Sequence, residues 1–157
     1  NYMGDVNMGK MHGVGIYKAA AGLTYKGQFK DNQQHGEGHI TYPNGGSYVG
    51  SFVKGKKHGQ GTDTDNNNIV YEGQYVRDFK QGMGKLTYPS GAHYVGEFAS
   101  GYMSGVGVFT DFTDKDGKEH KATWKRDKVN NQIVGRGSHD EEMIVDPLTG
   151  EIEVELY

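Results

Sequence analysis

The sequence predicts an all-β fold, an elongated, twisted, single-layer antiparallel sheet built from stacked hairpins of 23 residues. The first observation is a strict period, because tyrosine recurs at every twenty-third residue from Tyr2 to Tyr94. The second is alternation, as in Tyr25, Gly27 and Phe29, which places every second residue on one face of a strand. The third is composition, with 26 glycines, 11 tyrosines and no cysteine in 157 residues.

Each repeat has the pattern of two short strands. In the second repeat the first strand carries Tyr25 and Phe29, and the second carries Gly36 and Gly38. The polar segment 30–35 is predicted to be the hairpin loop, since it separates the two alternating stretches. Pro-Asn-Gly and Pro-Ser-Gly are turn signals that lead from one repeat to the next.

The recurring glycines and tyrosines are predicted to pack against each other. A residue without Cβ lets a neighbouring aromatic ring lie on the backbone, which a larger side chain would prevent. Aromatic side chains bury about 150–250 Å² each, so they can cover a sheet that has few aliphatic residues. We therefore expect the aromatic residues to form the core.

The pattern Tyr-x-Gly-x-Phe, followed by His-Gly-x-Gly and Tyr-Pro-x-Gly, resembles the MORN repeat (membrane occupation and recognition nexus). The resemblance covers residues 2–112, in five units that start near residues 2, 25, 48, 71 and 94. Two units depart from the pattern. The first has Val6 at the aromatic position, and the third has Asp63 and an Asn-rich run in its second strand, which we expect to be short or exposed.

Three regions are predicted. Residues 1–112 form the five repeats, and residues 113–138 form a degenerate sixth repeat or cap, with Trp124 at the aromatic position. Residues 139–157 form an acidic tail with seven acidic residues and no Lys or Arg, and its alternation of Glu with apolar residues indicates a hairpin.

A single-layer sheet leaves one face in need of cover, and this face is predicted to be a partner-binding groove. Rigid aromatic residues are typical contact residues of protein interfaces. We therefore predict a non-catalytic scaffold that binds a partner segment, or a second copy in a homodimer, along this groove. The predicted groove residues are Tyr25, Phe29, Tyr42, Tyr48, Phe52, Tyr71, Tyr75, Tyr88, Tyr94, Phe98, Phe109 and Trp124.

Two alternatives stay open. Lys54, Lys56 and Lys57 form a basic cluster that could face phosphoinositides or an acidic membrane, although each lysine contributes only about 1 kcal/mol near such a surface. Alternatively, the repeats are a regulatory domain of a larger enzyme. Nucleic acid is not an expected partner, because the net charge of -3 gives no concentrated positive surface.

No catalytic residue, metal site or cofactor is predicted. The Gly-x-Gly pairs follow the tyrosine period and do not continue as a dinucleotide-binding motif. His12, His35 and His58 stand one period apart, and so about 10 Å from each other, which is too far for a shared metal ion. A structural role is predicted for them.

The resemblance also implies a location and a type of assembly. Proteins made of MORN repeats with little else are frequent in cilia and flagella, including radial spoke heads and the axoneme, and in the cytoskeleton of protists. We therefore expect a cytoplasmic protein of the cytoskeleton or cilium.

Overall fold

The computed structural model describes residues 1–112, 117–139 and 141–156, and within these ranges every regular element is a β-strand. Fourteen strands pair in chain order into one antiparallel sheet. The predicted all-β, single-layer fold is confirmed. The described ranges contain no helix that is long and apolar enough to cross a membrane. The strands are β1 (Tyr2–Asn7), β2 (Lys10–Lys18), β3 (Thr24–Lys30), β4 (Gln33–Thr41), β5 (Ser47–Val53), β6 (Lys56–Thr64), β7 (Val70–Val76), β8 (Phe79–Thr87), β9 (His93–Ala99), β10 (Tyr102–Asp111), β11 (Lys118–Arg126), β12 (Ile133–Arg136), β13 (Glu141–Val145) and β14 (Ile152–Leu156).

Each of the five repeats turns from its first to its second strand through two residues with positive φ. In the second repeat these are Asp31 (φ 49°) and Asn32 (φ 68°). Two successive positive φ angles are typical of type I′ hairpin turns, whose twist matches that of the flanking strands. The predicted loop at residues 30–35 is therefore wrong, because the turn takes two residues and β4 already begins at Gln33.

The tyrosine that opens each repeat lies on the backbone of glycine residues. A Cβ on Gly38 would lie 2.4 Å from Cε2 of Tyr25 and 2.4 Å from its hydroxyl oxygen. The Tyr25 hydroxyl donates a hydrogen bond to the Gln28 carbonyl at 2.6 Å, and the equivalent bond recurs in the next three repeats. Glycine is required here because any side chain would displace the ring.

The rings form one continuous core along the sheet. Tyr25 lies between Phe29 of its own repeat and Phe52 of the next, at centroid distances of 4.9 and 5.3 Å and nearly perpendicular to both. The same edge-to-face contacts recur in the third and fourth repeats. In the fifth, Tyr94 contacts Trp124 at 6.0 Å. Such pairs contribute about 0.5–1.5 kcal/mol each beyond the buried area, so they join each repeat to the next.

Hydrogen bonds also tie each hairpin turn to the repeat before it. Nδ1 of His58 accepts a bond from the Arg77 backbone N–H at 3.4 Å, and His35 makes the equivalent contact one repeat earlier. In the fourth repeat Oε1 of Gln81 takes this place and accepts from the Ser100 N–H at 3.1 Å. The predicted structural role is therefore confirmed for these two histidines.

The second strand of the third repeat is not short. β6 has nine residues, as β4 and β8 do. Asp63 pairs with Tyr48 on one side and Tyr71 on the other. The strand was expected to be short or exposed, and the first alternative is wrong, because backbone ladders to both neighbours extend along β6. No residue of β6 is fully buried.

The sheet continues beyond the fifth repeat with a changed pattern. Trp124 lies against Gly135 as the tyrosines lie against their glycines, and its indole N–H donates to the Gly107 carbonyl at 3.1 Å. The predicted boundary between repeats and cap lies between residues 112 and 113, and residues 113–116 are outside the described ranges.

The acidic tail is docked on the repeats. β13 pairs with β12, and β13 and β14 form an antiparallel hairpin. Its turn brings Gly150 against the Tyr88 ring, where a Cβ would lie 2.5 Å from Cδ2. The Ser90 hydroxyl donates to the Thr149 carbonyl at 3.1 Å. The tail thus covers one ring of the fourth repeat.

The contact between tyrosine and glycine can be tested by adding one methyl group. Gly38→Ala is expected to lower the free energy of unfolding by about 2–3 kcal/mol, because the new Cβ overlaps the Tyr25 ring. Urea unfolding measures this change. His39→Ala is the matched control, since His39 is the next residue and is exposed, and it should change stability by no more than about 0.5 kcal/mol. Equal effects of the two variants would contradict the packing described.

Candidate functional site

The predicted groove residues share one face of the sheet, here called the aromatic face. Eleven of the twelve belong to the buried core, with exposed fractions between 0 and 5 per cent, and Tyr42 packs against them half-buried. The rings cover one another, so a partner on this face meets Tyr42 and the polar side chains above the rings first. Binding along the groove stays a prediction.

Lys57 lies on the aromatic face and not with the other two lysines of the predicted basic cluster. Its Nζ is 4.6 Å from the centroid of the Tyr48 ring and 5.3 Å from that of Tyr42. It also pairs with Oδ2 of Asp63 at 3.3 Å. The grouping of Lys57 with Lys54 and Lys56 as a lipid-facing set is therefore corrected. Residues 56 and 57 are both in β6, so their side chains point to opposite faces.

Lys54 and Lys56 instead join His58 of their own repeat and Arg77 of the next. Together with His58, Arg77 and the side chain of Val53 they line one shallow depression. Sequence analysis missed Arg77 because it is 21 residues from Lys56, but the period could have found it, since Arg77 stands 23 residues after Lys54.

Four polar residues meet on the aromatic face between the third and fourth repeats, and we call this group the polar seat: Lys57, Asp63, Tyr75 and Lys80. Tyr75 pairs with Lys80 across β7 and β8, and the Tyr75 ring centroid is 5.6 Å from Nζ of Lys57. Nζ of Lys80 is 5.0 Å from the Tyr71 centroid. No sequence pattern indicated this group, because residues 57 and 80 fall at or near the predicted loops.

Two groups of the polar seat lack a hydrogen-bond or ion-pair partner among the described residues. The Tyr75 hydroxyl is buried and has no hydrogen-bond partner within the described ranges. No carboxylate of the described residues lies within the 4.0 Å ion-pair distance of the Lys80 ammonium. Burial lowers the pKa of Lys80, opposed by the more distant charges of Asp63 and Asp65. Burial raises the pKa of Tyr75, so its hydroxyl stays protonated and can donate.

The described residues offer no group of three or more His, Asp or Glu side chains that could hold a metal ion. One buried ionisable pair joins the fifth repeat to the cap, where Nε2 of His120 is 2.6 Å from Oδ2 of Asp111. Both side chains are 7 per cent exposed, and the pair connects β10 to β11.

The family model for the MORN repeat matches five segments of the chain, residues 2–24, 25–47, 48–64, 71–93 and 94–113. A search of curated protein sequences finds no significant match. Among solved structures, the chain is similar to the TCP domain of SAS-4 (dCPAP) of Drosophila melanogaster, a structure in complex with a proline-rich motif of Ana2 (dSTIL). The identity is 12 per cent and the TM-score 0.43, and the match covers 92 per cent of this chain and 85 per cent of that one.

The buried tyrosines predict how stability depends on pH. Burial raises the pKa of Tyr25, Tyr71 and Tyr94 to about 12, against about 10 in the unfolded chain. Their contribution to stability is therefore fully present below about pH 10 and is lost as the pH rises from there through 12. Absorbance at 295 nm should show late, cooperative ionisation that coincides with the loss of the β-sheet circular dichroism signal. Ionisation of these tyrosines near pH 10 in a folded sheet would contradict their burial.

Proposed function

Because the chain belongs to the MORN repeat family, we propose that it is a non-catalytic scaffold that binds a segment of a partner protein, or a second copy of itself, along the aromatic face. MORN repeats are interaction and membrane-binding modules. The proposal applies the first of these two roles to this chain.

The observation that carries the proposal is the row of side chains accessible above the buried rings. Tyr17 and Tyr42 are half-buried, and Lys57 and Asp63 keep 16 and 20 per cent of their side chains exposed. Aromatic rings and partly exposed charges on a rigid sheet need little reorganisation to receive an extended segment or a helix. The buried aromatic core holds these accessible side chains at fixed distances from one another.

The setting of this scaffold is a further part of the proposal. We place it in the cytoplasm, in a ciliary, flagellar or other cytoskeletal assembly, on the resemblance to proteins made of MORN repeats. The search for the partner therefore begins in axonemal and cytoskeletal extracts of the source cells.

Binding to the aromatic face can be tested with matched pairs of variants. The double variant Tyr17→Ala, Tyr42→Ala should bind a partner identified from these extracts at least about tenfold more weakly, because it removes the accessible rings. Val49→Ala, Val95→Ala is the control, since both residues are exposed by about half on the opposite face, at 52 and 45 per cent. Calorimetry measures affinity, and circular dichroism confirms that both variants are folded. Equal affinity of the two double variants would exclude the aromatic face as the binding surface.

A second candidate function is contact with an anionic membrane surface. The depression lined by Lys54, Lys56, His58 and Arg77 favours it, because three permanent cations lie together there. Such residues attract anionic lipid by about 1 kcal/mol each.

Vesicle binding tests this second candidate. Lys54→Gln, Lys56→Gln, Arg77→Gln should lower partitioning onto phosphatidylcholine vesicles that contain a phosphoinositide by about a hundredfold. Lys57→Gln should have little effect, since Lys57 lies on the aromatic face. If the wild-type protein does not sediment with these vesicles, or if Lys57→Gln has the larger effect, the membrane function is wrong.

A further inference from the structure

The polar seat is where the third and fourth repeats differ from the rest of the array. Lys57 and Lys80 occupy a position that is Met11 in the first repeat, Gln34 in the second and Met103 in the fifth, each opposite the second aromatic position of its repeat or the valine that replaces it. Methionine therefore fits this position of the fold, and the sheet does not need a lysine there.

The other two members of the polar seat also differ from the residues at the equivalent positions of the other repeats. Tyr75 takes the place of Phe29, Phe52 and Phe98 of the other repeats, and only its hydroxyl is additional. Asp63 takes the place of residues such as Ile40 and Leu86, which pair with the same tyrosines. All four exceptions lie within two adjacent repeats and on one face.

The two groups of the seat without a hydrogen-bond or ion-pair partner among the described residues are both hydrogen-bond donors. The Asp63 carboxylate already pairs with Lys57, and Oδ1 of Asp65 accepts bonds from two backbone N–H groups in its own turn. The Lys80 ammonium and the Tyr75 hydroxyl remain. The Tyr75 hydroxyl is a buried donor without an acceptor, which destabilises the fold, so an acceptor brought by a guest recovers that free energy on binding.

We infer that the polar seat receives a carboxylate of an acidic partner segment, held by the Lys80 ammonium and the Tyr75 hydroxyl. This inference rests on the proposed function, because the seat lies on the aromatic face. The Tyr75 hydroxyl is closed to solvent in the free protein, so the guest reaches it only when a side chain of the seat rearranges. Among the segments that fit the aromatic face, the polar seat therefore favours those with an acidic residue at one position.

The choice of a carboxylate follows from charge and from the number of hydrogen bonds that each guest can accept. A cationic guest would meet two lysines, and an apolar guest would leave the Tyr75 hydroxyl unpaired and bury the Lys80 charge further. A carboxylate has two oxygens and can accept from both donors at once, with one charge-assisted bond from the ammonium.

Peptide selection tests the inference and does not require that the partner protein be identified. A library of random dodecapeptides is displayed and selected against the wild-type protein, against Lys80→Met, Tyr75→Phe and against Lys85→Met. The double variant carries the residues that other repeats have at these positions, so it should fold. Lys85→Met removes the same charge from the same strand, but from an exposed position on the opposite face.

The expected result is enrichment of Asp or Glu at one fixed peptide position with wild type and Lys85→Met, and its loss with the double variant. Replacing that acidic residue by its amide should weaken binding to wild type about tenfold, as measured by fluorescence anisotropy. Tyr75→Phe alone should raise the urea midpoint of the free protein while it weakens binding of the acidic peptide. A merely structural role of the hydroxyl would not give these opposite signs.

The contrary results separate the inference from the proposed function. Peptides that depend on Tyr17 and Tyr42 but show no acidic position would overturn the carboxylate seat and leave the scaffold function intact. Equal acidic enrichment with Lys80→Met, Tyr75→Phe would overturn the seat as well. If no peptide of any sequence is selected, both the seat and the aromatic face as a peptide-binding surface are rejected.

Discussion

The structure depends on the contact between a tyrosine ring and the bare backbone of glycine. A Cβ on Gly38, Gly61, Gly84 or Gly107 would lie 2.3–2.6 Å from the ring of the tyrosine packed on it. Real Cβ contacts are never this short, so the position admits only glycine. The glycines and the tyrosines recur with the same period because each tyrosine ring can lie flat only where a glycine leaves the backbone without a Cβ.

This contact explains how a single-layer sheet acquires a core. Once the tyrosine lies flat, its edges meet the second aromatic residue of its own repeat and of the next, and each ring covers its neighbours down to an exposed fraction of 5 per cent or less. The array is therefore stabilised by contacts between adjacent repeats, as in other repeat proteins. The same packing means that the rings themselves hold the sheet together, and recognition falls to the side chains that lie above them.

The regular part of the structure is predictable from the sequence, whereas the features that depend on short turns are not. Period and alternation are enough for the fold and its aromatic core, because both follow directly from residue spacing. The turns were misjudged because Asp31 and Asn32 form a type I′ turn without glycine, so nothing marked the loop as two residues long. Because residues 30–35 were taken as a loop, the equivalent segment of the third repeat, which contains Lys57, was also taken as a loop. No face of the sheet could therefore be assigned to the Lys57 side chain. Hence Lys57 was grouped with Lys56, although alternation along β6 separates them.

A strictly repeated framework makes local exceptions informative. Most positions on the aromatic face are filled by apolar or aromatic residues in several repeats, so the framework tolerates them. The Tyr75 hydroxyl lowers stability where it stands, since it is buried without a hydrogen-bond partner among the described residues. Residues that do not suit their packing environment are expected at functional positions, where the free energy of binding compensates for the lost stability. That three charged side chains and the one additional hydroxyl share one place on the aromatic face is more easily explained by recognition than by folding.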